Sequence, residues 1–298
     1  MRKILFLLLC VIISQVHSQK KDFFQDFQGI KNANAVFYNV YGTTITTETY
    51  SYEFNEKGLK KIFRRYKFNF KKITKKQDEK LELQHYLVQD SVVIKNKYVS
   101  YSAVYFVKNQ NFISVIYFNE INKTKASFKR EFIQTYIDNK IPKSIFITSK
   151  IDSILFVNRY IKLGPSCRWM GVRNVQCSYR GQMDWTIHQS LEKAKNHNEL
   201  RALTNRYQRK LKLISKDTVN IRFEGKEISA IKIVYNVKGF NSLLLKMSSG
   251  AKHLIVYYIA EKIRGKNISC ILSHWDNDYI QPNGLPALLS EVIALKEN

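Results

Sequence analysis

Residues 98–118 read YVSYSAVYFVKNQNFISVIYF, in which two runs of β-branched and aromatic residues are separated by a polar segment with two Asn residues. Side chains of this kind fit the pleated surface of a β-strand, and Asn marks the turn between two strands. A third apolar run, Val92-Val93-Ile94, precedes them and is followed by similar turn residues. These features predict an antiparallel meander over residues 84–118.

The segments on either side of the meander predict a hairpin and two helices. Residues 36–47 contain two strand-like runs with Gly42 between them, which is the pattern of a β-hairpin. Residues 59–66 and 128–137 instead carry apolar side chains at helical spacing, so each segment would present one apolar face to the sheet. Pro142 lies just beyond the second helix and ends this first structural unit.

The chain from Ser144 onward repeats the alternation of strands and helices. Short strand-like runs precede a loop over residues 164–181, which Gly residues punctuate. Thr186 and Gln189 form a capping box, which predicts that a helix begins there. Further strand-like runs fill residues 210–275, and the last Leu-rich segment predicts a C-terminal helix.

We therefore predict an α+β fold of two antiparallel-sheet units, each closed by a C-terminal helix, over residues 19–143 and 144–298. The two units end alike, because residues 104–114 and 256–269 both place a strand, a polar turn and a second strand before a helix. One explanation is a degenerate tandem duplication. The other is chance, since strand-strand-helix endings look similar in any chain this rich in Tyr, Ile and Lys.

Residues 1–18 have the layout of a secretory signal peptide. Met1-Arg2-Lys3 is basic, residues 4–13 are almost all apolar, and Ser18 is a small residue suited to cleavage. The apolar run has only about half of the roughly 20 residues that span a bilayer, which argues against a retained anchor. Lipidation at Cys10 is the remaining alternative, and it would leave a very short apolar region. We expect an exported protein, periplasmic or extracellular after cleavage, with no transmembrane segment in the mature chain.

Cysteine usage predicts one disulfide. Loss of residues 1–18 would remove Cys10 and leave Cys167, Cys177 and Cys270, an odd number that allows three pairings. In an oxidising compartment the local pair Cys167 and Cys177 is the favoured disulfide. Cys270 lies in an apolar run, where a free thiol is normally buried and inert. No Cys or His cluster has zinc spacing, so we expect no metal and no cofactor.

The chain is strongly basic, with 49 Lys and Arg against 24 Asp and Glu and a formal net charge of +25. Such a charge attracts anions, and outside the cytoplasm these are lipid phosphates, acidic polysaccharides and, less favourably, nucleic acid. Residues 60–76 carry the densest basic charge and contain no acid. The residues predicted to bind polyanions there are Lys71, Lys72, Lys75 and Lys76. The alternative is a solvated lysine face that only keeps the protein soluble.

A second candidate binding surface is the segment of residues 164–185, whose composition differs from that of the rest of the chain. It holds two of the three Trp residues, two Cys residues and three Arg residues. Trp and Arg are prominent in binding hot spots, and loops often carry function. The predicted binding residues are Arg168, Trp169, Arg173, Arg180 and Trp185. The alternative is a disulfide-closed connection whose Trp side chains fill the core.

The sequence also offers an enzyme alternative, centred on His274 and Asp276 at the end of a predicted strand. A His with a neighbouring carboxylate can act as a base and its orienting group, and His188 and Asp184 would complete such a site. No nucleophile elbow, phosphate loop or H-E-x-x-H motif is present, however. We therefore favour a binding or envelope-associated protein without enzymatic activity, which recognises an anionic surface component or a partner protein. The alternative is a periplasmic or secreted hydrolase, and convergence of the four side chains in one cleft would distinguish it.

Overall fold

The structure is a computed structural model that describes residues 23–32, 34–68, 77–94, 98–121, 123–147, 151–164, 166–207, 209, 211–236 and 250–296. The segment of residues 1–18 and the predicted polyanion-binding residues Lys71, Lys72, Lys75 and Lys76 lie outside the described residues. Within them the chain has the predicted mixed α+β character, with mostly antiparallel sheets and few helices. No helix in this part of the chain combines the length and the apolar character needed to cross a membrane.

The first sheet is built from six strands: β1 (Gln28–Asn32), β2 (Ala35–Val40), β3 (Thr43–Tyr50), β4 (His85–Ile94), β5 (Tyr98–Asn109) and β6 (Phe112–Glu120). They pair antiparallel in the spatial order β1-β2-β3-β6-β5-β4. The predicted meander corresponds to β4, β5 and β6, and the predicted hairpin around Gly42 corresponds to β2 and β3. Both predictions are confirmed.

Two helices cover this sheet: α1 (Glu56–Arg65) and α2 (Ala126–Ile137). The first packs on Val104 and Phe106 of β5, whereas the second packs on Tyr105 and Val107. Successive residues of a strand point to opposite faces, so the two helices lie on opposite faces of the sheet. This explains why the sequence of β5 is continuously apolar at this point, because both of its faces are covered.

A short hairpin of β7 (Ser153–Phe156) and β8 (Arg159–Lys162) precedes the second sheet. That sheet has eight strands: β9 (Cys167–Gly171), β10 (Asn174–Cys177), β11 (Gly181–His188), β12 (Lys212–Phe223), β13 (Lys226–Asn236), β14 (His253–Ile263), β15 (Lys266–Trp275) and β16 (Ile293–Leu295). They pair antiparallel in the order β16-β12-β13-β14-β15-β11-β10-β9.

The second sheet is also covered on both faces. Helix α3 (Leu191–Tyr207) lies on one face, where its Ala202 packs near Tyr258 and Ile271. The other face packs against the β7–β8 hairpin and the short helix α4 (Ala287–Ser290). The large apolar residues on this face of the sheet, Trp185 among them, are therefore enclosed between the sheet and these two elements.

The two sheets share a strand order. In the first sheet the order is β1-β2-β3-β6-β5-β4. Six strands of the second sheet lie in the equivalent order, β9-β10-β11-β15-β14-β13, when β12 is left out of the count. Helix α1 comes after the third strand of the first set, and α3 comes after the third strand of the second set. The second sheet then extends beyond this common arrangement by β12 and β16.

The predicted capping box of Thr186 and Gln189 is wrong. Thr186 lies in β11, where it pairs with Ser269 of β15, and α3 begins only after this strand has ended. The capping side chain is that of Ser190, whose Oγ accepts a hydrogen bond from the N–H of Lys193 at 3.2 Å. Pairing of Thr186 with β15 overrides the local helix signal, because helix propensity is weak against tertiary pairing.

The structure differs from the sequence interpretation at two further places. The predicted loop over residues 164–181 is built mainly from the strands β9 and β10. The C-terminal helix expected to close the second unit is minor, because α4 makes a single turn and the chain then forms β16. Strand β16 pairs with β12, with Ile293 opposite Phe223, so the last apolar residues complete the sheet edge.

Candidate ligand-binding site

The predicted disulfide between Cys167 and Cys177 is present and closes the β9–β10 hairpin. The two residues face each other at one end of the hairpin, and the turn that contains Arg173 lies at the other end. Cys270 is a free thiol buried in the core of the second sheet. Burial raises the pKa of this thiol, so the sulfur stays protonated and unreactive.

Arg173 extends from the hairpin turn to the N-terminal segment, residues 23–28. Its guanidinium donates from Nε to Oε1 of Gln28 at 2.7 Å and from Nη2 to the main-chain oxygen of Asp26 at 2.9 Å. The residue is only 5% exposed. Burial lowers the pKa of Arg173 to about 10, so the side chain is still positively charged at neutral pH.

The third guanidinium nitrogen of Arg173, Nη1, is buried and has no hydrogen-bond acceptor among the residues that the structure describes. The acceptors of the other two nitrogens are an amide oxygen and a main-chain carbonyl, which are both neutral. A buried charged group without full hydrogen bonding is costly, and such groups are normally paired. Nη1 of Arg173 is therefore a buried donor without an acceptor among the described residues, although the charge of Asp26 favours the cation.

The carboxylate of Asp26 favours the charged form of Arg173 electrostatically, and two other groups contact this carboxylate directly. Nζ of Lys266 lies 2.8 Å from Oδ1 of Asp26, and the hydroxyl of Tyr41 donates to Oδ2. Burial first, and then this hydrogen bond, raise the pKa of Tyr41 to about 12, so it donates as a neutral hydroxyl. The cluster of Arg173, Lys266, Asp26 and Tyr41 thus contains two cations and one carboxylate. We call it the cationic cluster, because its net charge is positive.

A cavity of about 510 Å³ adjoins the cationic cluster, and Arg173, Lys266 and Asp26 line it. The ring centres of Trp169 and Trp185 in its wall are 6.3 Å apart. The apolar part of the wall includes Phe27, Ile154, Trp169, Trp185 and Ile187. A molecule in this cavity would contact a positive charge and an aromatic surface at the same time.

The β7–β8 hairpin carries apolar side chains that reach from this cavity into solvent. Leu155 and Tyr160 face each other across the hairpin, and both line the cavity. Leu155 is 46% exposed and Tyr160 is 73% exposed, so they mark its opening. Asp152 also lines the cavity and is exposed. Exposed apolar side chains at the opening of a cavity form a surface that a partly apolar ligand can cover.

The cavity brings together three of the five binding residues predicted within residues 164–185, namely Trp169, Arg173 and Trp185. The other two lie elsewhere. Arg168 is exposed and donates to Oε1 of Gln176 at 3.2 Å, because alternation along β9 points it away from Trp169. The guanidinium of Arg180 lies against Gly164, at the position that a Cβ on this glycine would occupy.

The structure does not bring the predicted catalytic residues together. His274 lies on the same face of β15 as Cys270, and its Nδ1 is 3.0 Å from the main-chain oxygen of Trp275. Asp276 instead pairs with His253, whose Nδ1 is 2.9 Å from Oδ2 of the carboxylate. This second pair is partly exposed, and among the described residues His274 interacts with Asp276 electrostatically but through no hydrogen bond.

Asp184 and His188 lie on the opposite face of the second sheet from His274. Asp184 pairs with Ile271 in the β11–β15 register, and paired residues of antiparallel strands point to the same side. Burial raises the pKa of Asp184, and Arg201 of α3 holds its Oδ2 at 3.1 Å. The side chains proposed for hydrolysis therefore do not converge, because the sheet separates Asp184 and His188 from His274.

His188 belongs to a buried polar network beneath α3. Its Nε2 is 3.3 Å from Nδ1 of His197, which in turn is 3.0 Å from Oγ of Ser269. Ser269 donates to Oδ1 of Asn198 at 2.6 Å. This serine is only 1% exposed, so no substrate can reach it in this conformation. The network is structural in its present form.

The ring of His188 also packs against the turn at Gly42 of the first sheet. A Cβ added to Gly42 would lie 2.9 Å from this ring, and the backbone there has a φ of +85° that suits glycine. Burial first, and then the nearby charges of Arg173 and Lys193, lower the pKa of His188 to about 4. A neutral imidazole therefore lies at the contact between the two sheets.

Sequence reasoning missed the residues that complete the site around Arg173. Asp26 and Gln28 lie near the start of the described chain, and Lys266 lies at the start of β15. No local pattern marks them, because each is an ordinary polar residue in its own segment. The one available signal is compositional, since Asp26 is the acid within the Phe-rich segment of residues 23–27.

Comparisons with known proteins add no functional assignment. No protein family, curated protein or solved structure matches the chain. Among the residues that the structure describes, no group of three or more His, Cys, Asp or Glu side chains is arranged to hold a metal ion. Fold and site therefore define the protein as an α+β protein of mostly antiparallel sheets, with a cavity beside a buried and unsatisfied arginine.

Proposed function

We propose that this protein is an exported binding protein, without enzymatic activity, that holds the anionic group of its ligand at Arg173. One observation supports this most directly: Nη1 of the buried Arg173 has no acceptor among the described residues, and the residue lines a cavity of about 510 Å³. Nη1 itself is buried, so an oxyanion from the cavity would reach it once the side chains around it shift, and the oxyanion would then supply the missing acceptor. Hydrogen bonds between ionised groups are about twice as strong as neutral ones, and the planar guanidinium matches carboxylate and phosphate groups.

The distribution of charge favours an anionic ligand over a neutral one. The cationic cluster has two cations to one carboxylate, and the whole chain has a formal net charge of +25, which raises the local concentration of anions. Helix α1 adds an exposed basic face with Lys57, Lys61 and Arg64. An anionic component of the cell envelope is therefore the partner class that we propose, and a partner protein is the alternative.

Export to the periplasm or the extracellular space is part of this proposal. Its support is the signal-peptide pattern of residues 1–18 together with the Cys167–Cys177 disulfide. Disulfides of this kind persist in oxidising compartments and are rare in the cytosol. An envelope location would also place the basic surface beside lipid phosphates and acidic polysaccharides.

We further propose that the chain consists of two units, residues 19–143 and 144–298, that arose by degenerate tandem duplication. The shared strand order of the two sheets supports this, as does the equivalent position of α1 and α3. The second unit differs from the first in its added edge strands β12 and β16, and in the β7–β8 hairpin and α4 that cover the face opposite α3. The hydrolase alternative draws no comparable support, because its candidate residues lie on opposite faces of one sheet.

The first prediction is that Arg173→Gln weakens the binding of an organic anion at least tenfold. The probe is anilinonaphthalene sulfonate, an anion whose fluorescence rises in apolar surroundings, titrated into the purified protein. The control is Arg222→Gln, since Arg222 is an exposed arginine that does not line the cavity. Equal affinity of Arg173→Gln and the parent protein would overturn the proposal.

A second variant keeps this test decisive if Arg173→Gln fails to fold. Gln28→Glu places a carboxylate where an amide oxygen now accepts from Nε of Arg173 at 2.7 Å. The new carboxylate would neutralise the guanidinium from within the chain, so the fold should persist while the anion binds several-fold more weakly. Unchanged binding by a folded Gln28→Glu protein would count against Arg173 as the anion site.

A further inference from the structure

We propose that the ligand is an anionic amphiphile, with a single acidic oxyanion head group on one apolar chain. This rests on the proposed function, since it takes Arg173 as the residue that holds the anion. The inference adds the chemical nature of the part of the ligand that lies beyond its anionic group. The argument depends on how charge and apolar surface are distributed around the cavity.

Three charged groups that line the cavity, those of Arg173, Lys266 and Asp26, form one connected cluster. Arg173 bonds to Gln28 and to the main chain of Asp26, and Lys266 bonds to the carboxylate of Asp26. Within this cluster Arg173 is the cation that retains an unmatched nitrogen. The cluster can therefore neutralise one anionic head group, and a molecule with several charges would leave the others without partners.

The remainder of the wall suits an apolar chain. Trp169 and Trp185 lie together, and the main-chain N–H of Trp185 donates to the oxygen of Arg173 at 3.0 Å, which places this aromatic wall beside the cluster. A volume of about 510 Å³ is far more than an inorganic anion needs and lies within the usual range for small-molecule sites. The head group alone would leave most of the cavity unfilled.

Apolar side chains also lie at the opening of the cavity. Leu155 and Tyr160 are exposed there, so a chain that extends past the cavity would still cover apolar surface. The exposed carboxylate of Asp152 also lies on this lining. A second negative charge at the far end of the ligand would be repelled by it, which again favours a molecule with one acidic head.

The test is a titration of the purified protein with octanoate, decanoate and dodecanoate, each below its micellar concentration. Binding is followed by tryptophan fluorescence, because Trp169 and Trp185 line the cavity. Affinity should rise about fourfold for each added methylene, as expected for burial of an apolar chain. Dodecanol, which has the same length without the charge, should bind at least tenfold more weakly than dodecanoate.

Dodecyl phosphate distinguishes the two sources of such a head group. Tighter binding of dodecyl phosphate than of dodecanoate indicates a phosphate-headed lipid, and the reverse indicates a free fatty acid; both results support the inference. Acetate or inorganic phosphate binding as tightly as dodecanoate would overturn it while leaving the anion site at Arg173 intact. Equal binding of dodecyltrimethylammonium and dodecanoate, or of dodecanoate to the parent and to Arg173→Gln, would instead overturn the proposed function.

A variant pair at the opening tests the apolar chain without disturbing the core. Leu155→Ser removes an exposed apolar side chain that lines the cavity, and Met170→Ser removes one of similar exposure, 50%, that does not line it. Dodecanoate should bind Leu155→Ser about fivefold more weakly, and Met170→Ser as the parent. Octanoate, whose shorter chain ends deeper, should be less affected. Unchanged dodecanoate binding by Leu155→Ser would contradict the proposed path of the chain.

Discussion

Burial lowers the pKa of both basic residues that join the sheets, Arg173 and His188, but only Arg173 remains charged at neutral pH. Arg173 stays charged because a pKa of about 10 is still far above neutral pH, and it retains a donor without an acceptor. His188 stays neutral because burial lowers its pKa to about 4. The first residue therefore holds a charge that a ligand can neutralise, whereas the second acquires a charge only in acid.

The neutral form of His188 predicts that the fold loses stability in acid. The folded pKa is about 4, below the value of about 6.5 expected for an unfolded histidine, so the unfolded chain binds more protons between these values. The stabilising contribution is present above pH 6.5 and is lost as the pH falls toward 4. Between pH 7 and 4.5 it amounts to about 2 kcal/mol.

The measurement is the free energy of urea unfolding at a series of pH values, for the parent and for His188→Gln. The variant should show a smaller loss of stability between pH 7 and 4.5, because glutamine does not titrate. Burial also lowers the pKa of His197, so part of the pH dependence should remain in the variant. Parallel profiles for the two proteins would show that His188 is not held neutral by the fold.

At the level of elements, the β9–β10 hairpin connects a covalent bond with the candidate site. The Cys167–Cys177 disulfide closes one end, Trp169 lies along β9, and Arg173 lies in the turn at the other end. Strand β9 is at the edge of the second sheet and pairs only with β10 among the described strands. Its position therefore depends on one neighbour and on the disulfide.

Replacement of both Cys167 and Cys177 by Ala should lower the melting temperature by several degrees and weaken anion binding. A cross-link of this length restricts the unfolded chain by about 2 to 3 kcal/mol in the entropic account. The binding loss would follow because Arg173 and Trp169 share the loosened hairpin. As a chemical check, the denatured and unreduced mature chain should expose one thiol, that of Cys270; three reactive thiols would refute the disulfide.

At the level of the whole molecule, the two sheets contact each other through several kinds of interaction. The hydroxyl of Tyr98 on β5 donates to Glu199 of α3, and Tyr98 also packs with Leu200. Arg173 and Lys266 bond to the N-terminal segment, as described above. Because these contacts include buried charged and apolar groups, neither sheet would keep its present packing if the other unfolded.

This contact predicts a single unfolding transition for the whole chain. All three tryptophans, Trp169, Trp185 and Trp275, belong to the second unit, so their fluorescence reports on that unit, whereas far-ultraviolet circular dichroism reports on both. The two signals should change at the same urea concentration. Leu200→Ala, which truncates the apolar contact, should shift both midpoints down together by an amount equivalent to about 2 to 5 kcal/mol. Two separate midpoints in the parent protein would mean that the units unfold independently.

Several features of the fold could be predicted from the sequence because they depend on neighbouring residues. The apolar runs before and after residues 110–111 predict β5 and β6, and the spacing of residues 59–66 predicts α1. The disulfide could be predicted because its cysteines lie close together in the chain. Thr186 shows the limit of such reasoning, since its local helix signal was overridden by pairing with β15.

The sequence by itself determined the α+β character, the strand-rich segments, the local disulfide and the unusual Trp and Arg content of residues 164–185. Only the tertiary structure decided that Arg173 would meet Asp26 and Gln28, and that Arg168 and Arg180 would lie away from the cavity. It also decided that His274 and Asp184 would lie on opposite faces of one sheet. The physical reason is that helices, hairpins and nearby cysteine pairs follow from interactions between close neighbours. The cavity instead depends on which distant strands pair and pack, and no short segment carries that information.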